Sequence, residues 1–259
     1  LKADSSGQAW GGSPPSRAGD PWARAMLGRL SRPAWHAADG TRRGVAALVW
    51  APGKAAADLE GATRKLAGRI ALTCWDGEGR GRCEVGAKGR TATASALLAL
   101  AKASQLHLST VEFTARWVVD EEHHKQVRFV ARRGEPWGDF KARVRSSEGK
   151  KGPVLVVTPD SSAFRLARSA ISGVARRGPV RMRLNAQNEE VLSKAAMALA
   201  NMQVAADPSG DLGERLRCVA AETQDRGLVF VEIFAAPDGH GGGGAPGAGG
   251  ASAAGGSAE

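Results

Sequence analysis

The chain has 259 residues, 42% hydrophobic and 24% charged, with 36 Lys and Arg against 26 Asp and Glu and a net charge of +10. That is enough chain to bury a sizeable core, and the basic excess favours a polyanionic partner such as nucleic acid. Cys74, Cys83 and Cys218 lack metal-ligand spacing and leave one thiol unpaired, which excludes a disulfide framework and fits a reducing compartment; no apolar run approaches the length of a membrane span.

Residues 1–44 set Lys2, Arg17, Arg24, Arg29, Arg32, Arg42 and Arg43 against Asp4, Asp20 and Asp39, with Trp10, Trp22 and Trp35 interleaved. Without sustained periodicity they read as an extended basic arm. The first residue is Leu, so a fragment or a processed chain is expected, and an Arg-rich, acid-poor start partly fits the remnant of an organellar transit peptide. The expected location is organellar, mitochondrion before plastid, with cytoplasm as the alternative.

A first domain is expected over residues 45–133. The apolar run 45–51 ends at Pro52 and reads as a buried strand. Leu59, Ala62, Leu66 and Ile70 follow at helical spacing. Cys74 stays on the same face, which favours one long helix over a helix ending near Gly68 and an extra strand at 70–75. Gly79-Arg80-Gly81-Arg82 lacks the spacing and lysine of a phosphate loop; it reads equally as a place where Arg80 and Arg82 touch RNA phosphates and as a flexible loop. Residues 108–119 alternate Val111, Phe113, Ala115 and Trp117 with Thr110, Glu112, Thr114 and Arg116. Residues 120–124 make a turn and 126–131 return, a half-buried antiparallel hairpin.

Residues 134–152 read as a basic linker stiffened by Pro136. Here Arg143, Arg145, Lys150 and Lys151 stand near Trp137. A second domain is expected over 153–236. It opens with a strand ending at Pro159, then Ser161 or Ser162 as an N-cap. Ala163, Leu166, Ala167, Ala170, Ile171 and Val174 make a helix that Gly178-Pro179 stops. A hairpin over 214–223 and 228–234 closes the domain. Residues 237–259 are a Gly/Ala tail of low complexity, expected to be flexible.

The two domains share a pattern. RCEVGAKGRTATASALLALAK from Arg82 aligns with RMRLNAQNEEVLSKAAMALAN from Arg181 when Gly86 is set opposite Asn185. Val85 then meets Leu184, Ala96 meets Ala195, Leu98 meets Met197 and Leu100 meets Leu199. The apolar positions coincide while the polar ones drift, as in two copies of one packing unit. The Pro52-to-Pro159 offset exceeds the Gly86-to-Asn185 offset by eight residues, which two more helical turns in the first copy absorb. Each copy reads strand–helix–strand–helix–strand–strand.

The stretch 154–202 resembles the bacterial stage V sporulation protein S family: a strand, a Ser-rich helix start, a second strand, a small-residue turn and an Ala-rich helix. The resemblance runs to about residue 234. That family is grouped with the Alba-like fold, whose members bind DNA or RNA. Glu84-Val85-Gly86-Ala87-Lys88-Gly89-Arg90 is similar to Alba's basic Gly-Arg turn between second strand and second helix. In the second copy Asn185-Ala186-Gln187-Asn188-Glu189-Glu190 carries no cation and two acids, so the implied nucleic-acid contact transfers to Lys88 and Arg90 alone.

These readings combine into an α/β (α+β sandwich) chain of two tandem Alba-like βαβαββ domains, paired side by side as an internal pseudo-dimer. The expected function is non-catalytic nucleic-acid binding, most of all RNA binding as a structural component of an organellar ribosome or other ribonucleoprotein. The alternatives are a scaffold subunit of a large protein complex and a DNA-binding nucleoid protein. Lys88 and Arg90 would grip phosphate, and the hairpin residues Arg116, His123, His124, Lys125 and Arg128 would reach a groove or loop. RNA and neighbouring proteins of a large assembly are the expected partners. His123-His124 beside Glu121 and Glu122 lies in a turn and reads as a solvated polar turn rather than a metal site. No nucleophile–base pair stands out, and no cofactor is expected.

Overall fold

Apolar residues at every second position build strands and those at every third or fourth build helices; both periods are realised in chain order. The computed structural model describes residues 47–54, 56–75, 81–106, 108–148, 153–205, 215–223 and 227–236. The expected basic arm, the Gly/Ala tail, Arg80, Lys150 and Lys151 lie outside them.

The first stretch is β1 (Ala47–Trp50), α1 (Leu59–Cys74), β2 (Arg82–Ala87), α2 (Arg90–Leu106), β3 (Ser109–Val119) and β4 (Lys125–Pro136). Next comes α3 (Trp137–Glu148). The last stretch is β5 (Val154–Val156), α4 (Ala163–Arg177), β6 (Val180–Asn185), α5 (Glu189–Ala205), β7 (Leu216–Thr223) and β8 (Leu228–Ala235). Among the described residues the fold is mixed α/β, with five helices interleaved among eight strands.

Helix α1 is the long form. Its Asp58 cap accepts from the Gly61 N–H at 2.8 Å, and Leu66, Ile70 and Cys74 are all buried along one face. A strand at 70–75 would have split that stripe. Helix α4 is capped by Ser162 and ends at Gly178, whose φ of 82° suits glycine. Helices α2 and α5 are each 17 residues long and begin 99 residues apart, the spacing that sets Gly86 opposite Asn185. The expected linker is the main departure. Residues 134–136 finish β4, and 137–148 form α3, begun by a stacked Trp137–Phe140 pair with ring centroids 5.3 Å apart.

The eight described strands join one sheet in the order β1-β2-β4-β3-β7-β8-β6-β5. The pairs β1–β2 and β5–β6 are parallel and the rest antiparallel. The middle is a short ladder in which Glu112 faces Val219 and Phe113 faces Cys218. Alternation sends Val85, Phe113, Phe129, Met182 and Val231 into a single core with Leu66, Ile70, Leu97, Leu100 and Leu199 from the helices. Helix α2 is buried on most sides because α1, α5 and the sheet surround it, and its many Ala and Ser residues permit that close approach. Polar ties cross the middle of the molecule: Trp117 Nε1 donates to Asn201 Oδ1 at 2.8 Å, and Lys102 pairs with Glu222 at 3.2 Å. No described helix is long and apolar enough to cross a membrane.

Candidate nucleic-acid interface

The first N–H groups of a helix have no intrahelical acceptor and carry the positive end of its dipole, so they either receive a cap or attract an anion. The two Ala-rich helices differ here. At α5, Asn188 Oδ1 accepts from the N–H groups of Glu190 and Val191 at 3.0 and 3.1 Å, and two acids occupy the first turn. At α2 the matching position is Gly89, which has no side chain to cap with. Its φ of 86° turns the chain sharply from β2 into the helix. The first turn of α2 has no acid and begins with exposed Arg90.

A groove of about 390 Å³ opens beside this turn. Arg90 and Thr93 line it from α2, Trp117 and Lys125 from the β3–β4 hairpin, and Lys194 and Met197 from α5. Glu190 also lines it and pairs with Lys194 at 3.2 Å, so Arg90 and Lys125 hold the remaining positive charge. Gln126 lines the groove as well, and its buried Oε1 has no hydrogen-bond partner among the described residues. Thr91 Oγ1 donates to Glu189 Oε1 at 3.0 Å, which holds that acid against the helix start.

Lys88 faces elsewhere. Its Nζ lies 3.3 Å from Asp120 Oδ2, 3.6 Å from Glu122 Oε2 and 3.1 Å from His124 Nδ1. The lysine thus ties the β2–α2 turn to the tip of the hairpin instead of reaching out alone. Burial would raise the Asp120 carboxyl, but the His124 backbone N–H and the Lys88 ammonium outweigh it and hold that carboxyl below its ordinary value of 3.8. His123 occupies the left-handed region at φ 62°, the bend of the turn. Asp120, Glu122 and His124 lie close enough together to share an ion, but the Lys88 ammonium already stands among them.

The hairpin residues divide. His123, His124 and Lys125 sit at or beside the tip. Arg116 and Arg128 are opposite each other on the body of β3 and β4, on the face opposite α1, α2, α4 and α5. There they meet Glu84 at 3.4 and 3.5 Å, and Arg82 meets the same carboxylate at 3.8 Å. Arg143 is turned inward. It bonds Glu135 and Glu232 and lies over the rings of Phe140 and Phe234. Its opposing carboxylates outweigh the desolvation that would lower its affinity for the proton. It is a clamp of the fold rather than part of a free linker. The side chain of Arg145 lies outside the described residues.

The sequence reading overlooked Lys194 and Gln126. Lys194 is four residues from Glu190, the ordinary spacing of a surface helix pair, so nothing local marks it as a neighbour of Arg90. Comparisons of the chain with protein-family models, curated proteins and solved structures find no match.

Proposed function

We propose that this chain is a non-catalytic RNA-binding protein, a structural component of an organellar ribosome or similar ribonucleoprotein, built from two Alba-like units paired within one chain. The observation that carries the reading is the groove at the start of α2, where Arg90 and Lys125 converge beside a helix N-terminus whose preceding Gly89 offers no capping side chain. Such a place receives a phosphate through charge, hydrogen bonds and dipole together. The paired-unit part draws support from the repeated β-α-β-α-β-β order, the 99-residue spacing of α2 and α5, and the continuous sheet through β3 and β7.

A scaffold role is the second reading. It is favoured by the capped, acidic start of α5 and by the carboxylates around Lys88. Titrating a labelled hairpin RNA across a salt series distinguishes the two. Each phosphate contact contributes about −0.9 to the log–log salt slope on a duplex. Arg90→Ala and Lys125→Ala are each expected to weaken binding and flatten that slope by about one contact. Binding that is absent, or indifferent to salt and to both variants, refutes RNA binding through the groove and leaves the scaffold. Equal affinity for duplex DNA of the same length would favour a DNA-binding role instead.

A further inference from the structure

The face of the sheet opposite α1, α2, α4 and α5, which α3 covers in part through Arg143 on Glu232 and Phe234, is not uniform. Over β1, β2, β4 and β3, one row of cross-strand neighbours runs Trp50, Gly86, Arg128, Arg116. Adjacent strands lie about 4.8 Å apart, so along the row the indole stands two strands from Arg128 and three from Arg116, with Gly86 between. Trp50 lies against the backbone of Gly86. A Cβ built there would come within 2.9 Å of the indole Cε3 and Cζ3, so only glycine leaves room for the ring. The other side of the indole faces outward, and Trp50 remains 53% exposed with Leu48 beside it at 46%.

The charge next to the ring is out of balance. Arg82, Arg116 and Arg128 share the single carboxylate of Glu84, and the buried Nε atoms of Arg116 and Arg128 have no hydrogen-bond partner among the described residues. Three fixed cations on one anion leave a net positive locus that is short of acceptor oxygens. Glu84 holds the guanidiniums in place, so their ordering is largely complete before any ligand arrives. Among the described residues the other half of the sheet has no equivalent. There the row from Val156 runs through Arg183, Phe230 and Ala221, and the buried Glu232 is matched by Arg143 and Arg181.

We propose that this face binds single-stranded RNA, with one base stacked on the exposed side of Trp50 and the neighbouring phosphate held by Arg82, Arg116 and Arg128. An exposed indole beside a surplus of cations suits a strand that presents a π-face and a phosphate at each step. The inference shares its partner class with the proposed function but uses a different surface from the Arg90 groove.

The test is fluorescence anisotropy of a labelled 12-mer of uridine with the full chain, across a salt series. Trp50→Leu is expected to weaken binding about tenfold or more through lost stacking, with the salt slope unchanged. Trp50→Phe should recover part of it. Arg82→Gln, which leaves Glu84 two partners, should flatten the slope by about 0.7. Arg90→Ala should leave the 12-mer's affinity unchanged, even if it abolishes binding of the hairpin RNA. The inference is overturned if the wild-type chain does not bind the 12-mer, if Trp50→Leu and Arg82→Gln bind it as wild type does, or if Arg90→Ala alone removes binding, which would put the strand in the groove. Binding of a polyglutamate peptide as tightly as the 12-mer, with no response to Trp50→Leu, also overturns it and marks the face as a dock for an acidic protein.

Discussion

Replacing Glu232 with Gln tests how α3 is held to the sheet. The carboxylate is only 3% exposed and lies between two guanidiniums: Oε1 accepts from Arg143 Nη1, and Oε2 accepts from Arg181 Nε at 3.1 Å. Gln keeps the shape and one acceptor but removes the charge, and its amide NH₂ then faces one of the guanidiniums. At an effective dielectric near 20, each charge pair at this range is worth about 4 kcal/mol before desolvation. Breaking a buried pair by removing one partner costs about 3–5 kcal/mol net. Arg143 and Arg181 keep 36% and 22% of their side chains exposed, and Arg143 retains Glu135. Water and that second carboxylate soften the loss, so Glu232→Gln should cost about 2–3 kcal/mol. Urea unfolding followed by circular dichroism reads the change as a lower midpoint at constant m-value. Arg143→Gln and the double variant complete a cycle in which the double variant costs less than the two singles together. A Glu232→Gln protein within about 0.5 kcal/mol of wild type, the range of an ordinary surface change, would refute the view that this cluster clamps α3.

Three further outcomes follow from the structure. Asp120 titrates below its ordinary value of 3.8 because of His124 and Lys88, so its contribution is present above that pH and is lost as pH falls through the folded value; Asp120→Asn should lower the denaturation midpoint at pH 7 and make little difference at pH 2.5, and an equal loss at both would refute the pairing. Burial first, with the nearby Glu84 charge adding to it, pushes Cys83 up to about 11, and burial pushes Cys218 up to about 12, while Cys74 is buried as well. A thiol-reactive dye at pH 8 should therefore label the native protein slowly and all three cysteines quickly in denaturant; fast native labelling would contradict their burial. Asn188→Ala should cost about 1 kcal/mol by uncapping α5; no loss by chemical denaturation would sink the contrast between the two helix starts.

The candidate site was only partly legible in the chain. Lys88 and Arg90 stand two residues apart and read as one basic turn, yet Lys88 bends back to Asp120 and Glu122 while Arg90 lines the groove. Side-chain direction at a turn depends on its φ and ψ and on which charges approach from another strand, and neither is encoded within two residues. Arg116 and Arg128 read, with His123, His124 and Lys125, as hairpin residues reaching a groove or loop. The register seats them over the body of the sheet, Arg128 opposite Gly86 and Arg116 opposite Arg128, both within reach of Glu84. Trp50 looked like the apolar end of a buried strand. Among the described residues it is on an edge strand, and its side chain is 53% exposed.

What the chain determined by itself was local. The stripe Leu66, Ile70 and Cys74 made α1 long, the alternation around Phe113 made β3 a half-buried strand, and Ser162 and Gly178 bounded α4, because each signal acts over a few residues of one element. Tertiary structure decided how those elements meet. The pairing of Glu112 with Val219, the bond from Trp117 to Asn201 and the arrival of Lys194 beside Arg90 all join residues about a hundred positions apart. The helical period of 137–148 was also masked by its charge. Arg143 belongs to a helix that is stable only against the sheet, where Glu232 and Phe234 receive it. Such contacts form only after the chain has closed on itself, so the local pattern constrained which residues face inward and left open which partners they find there.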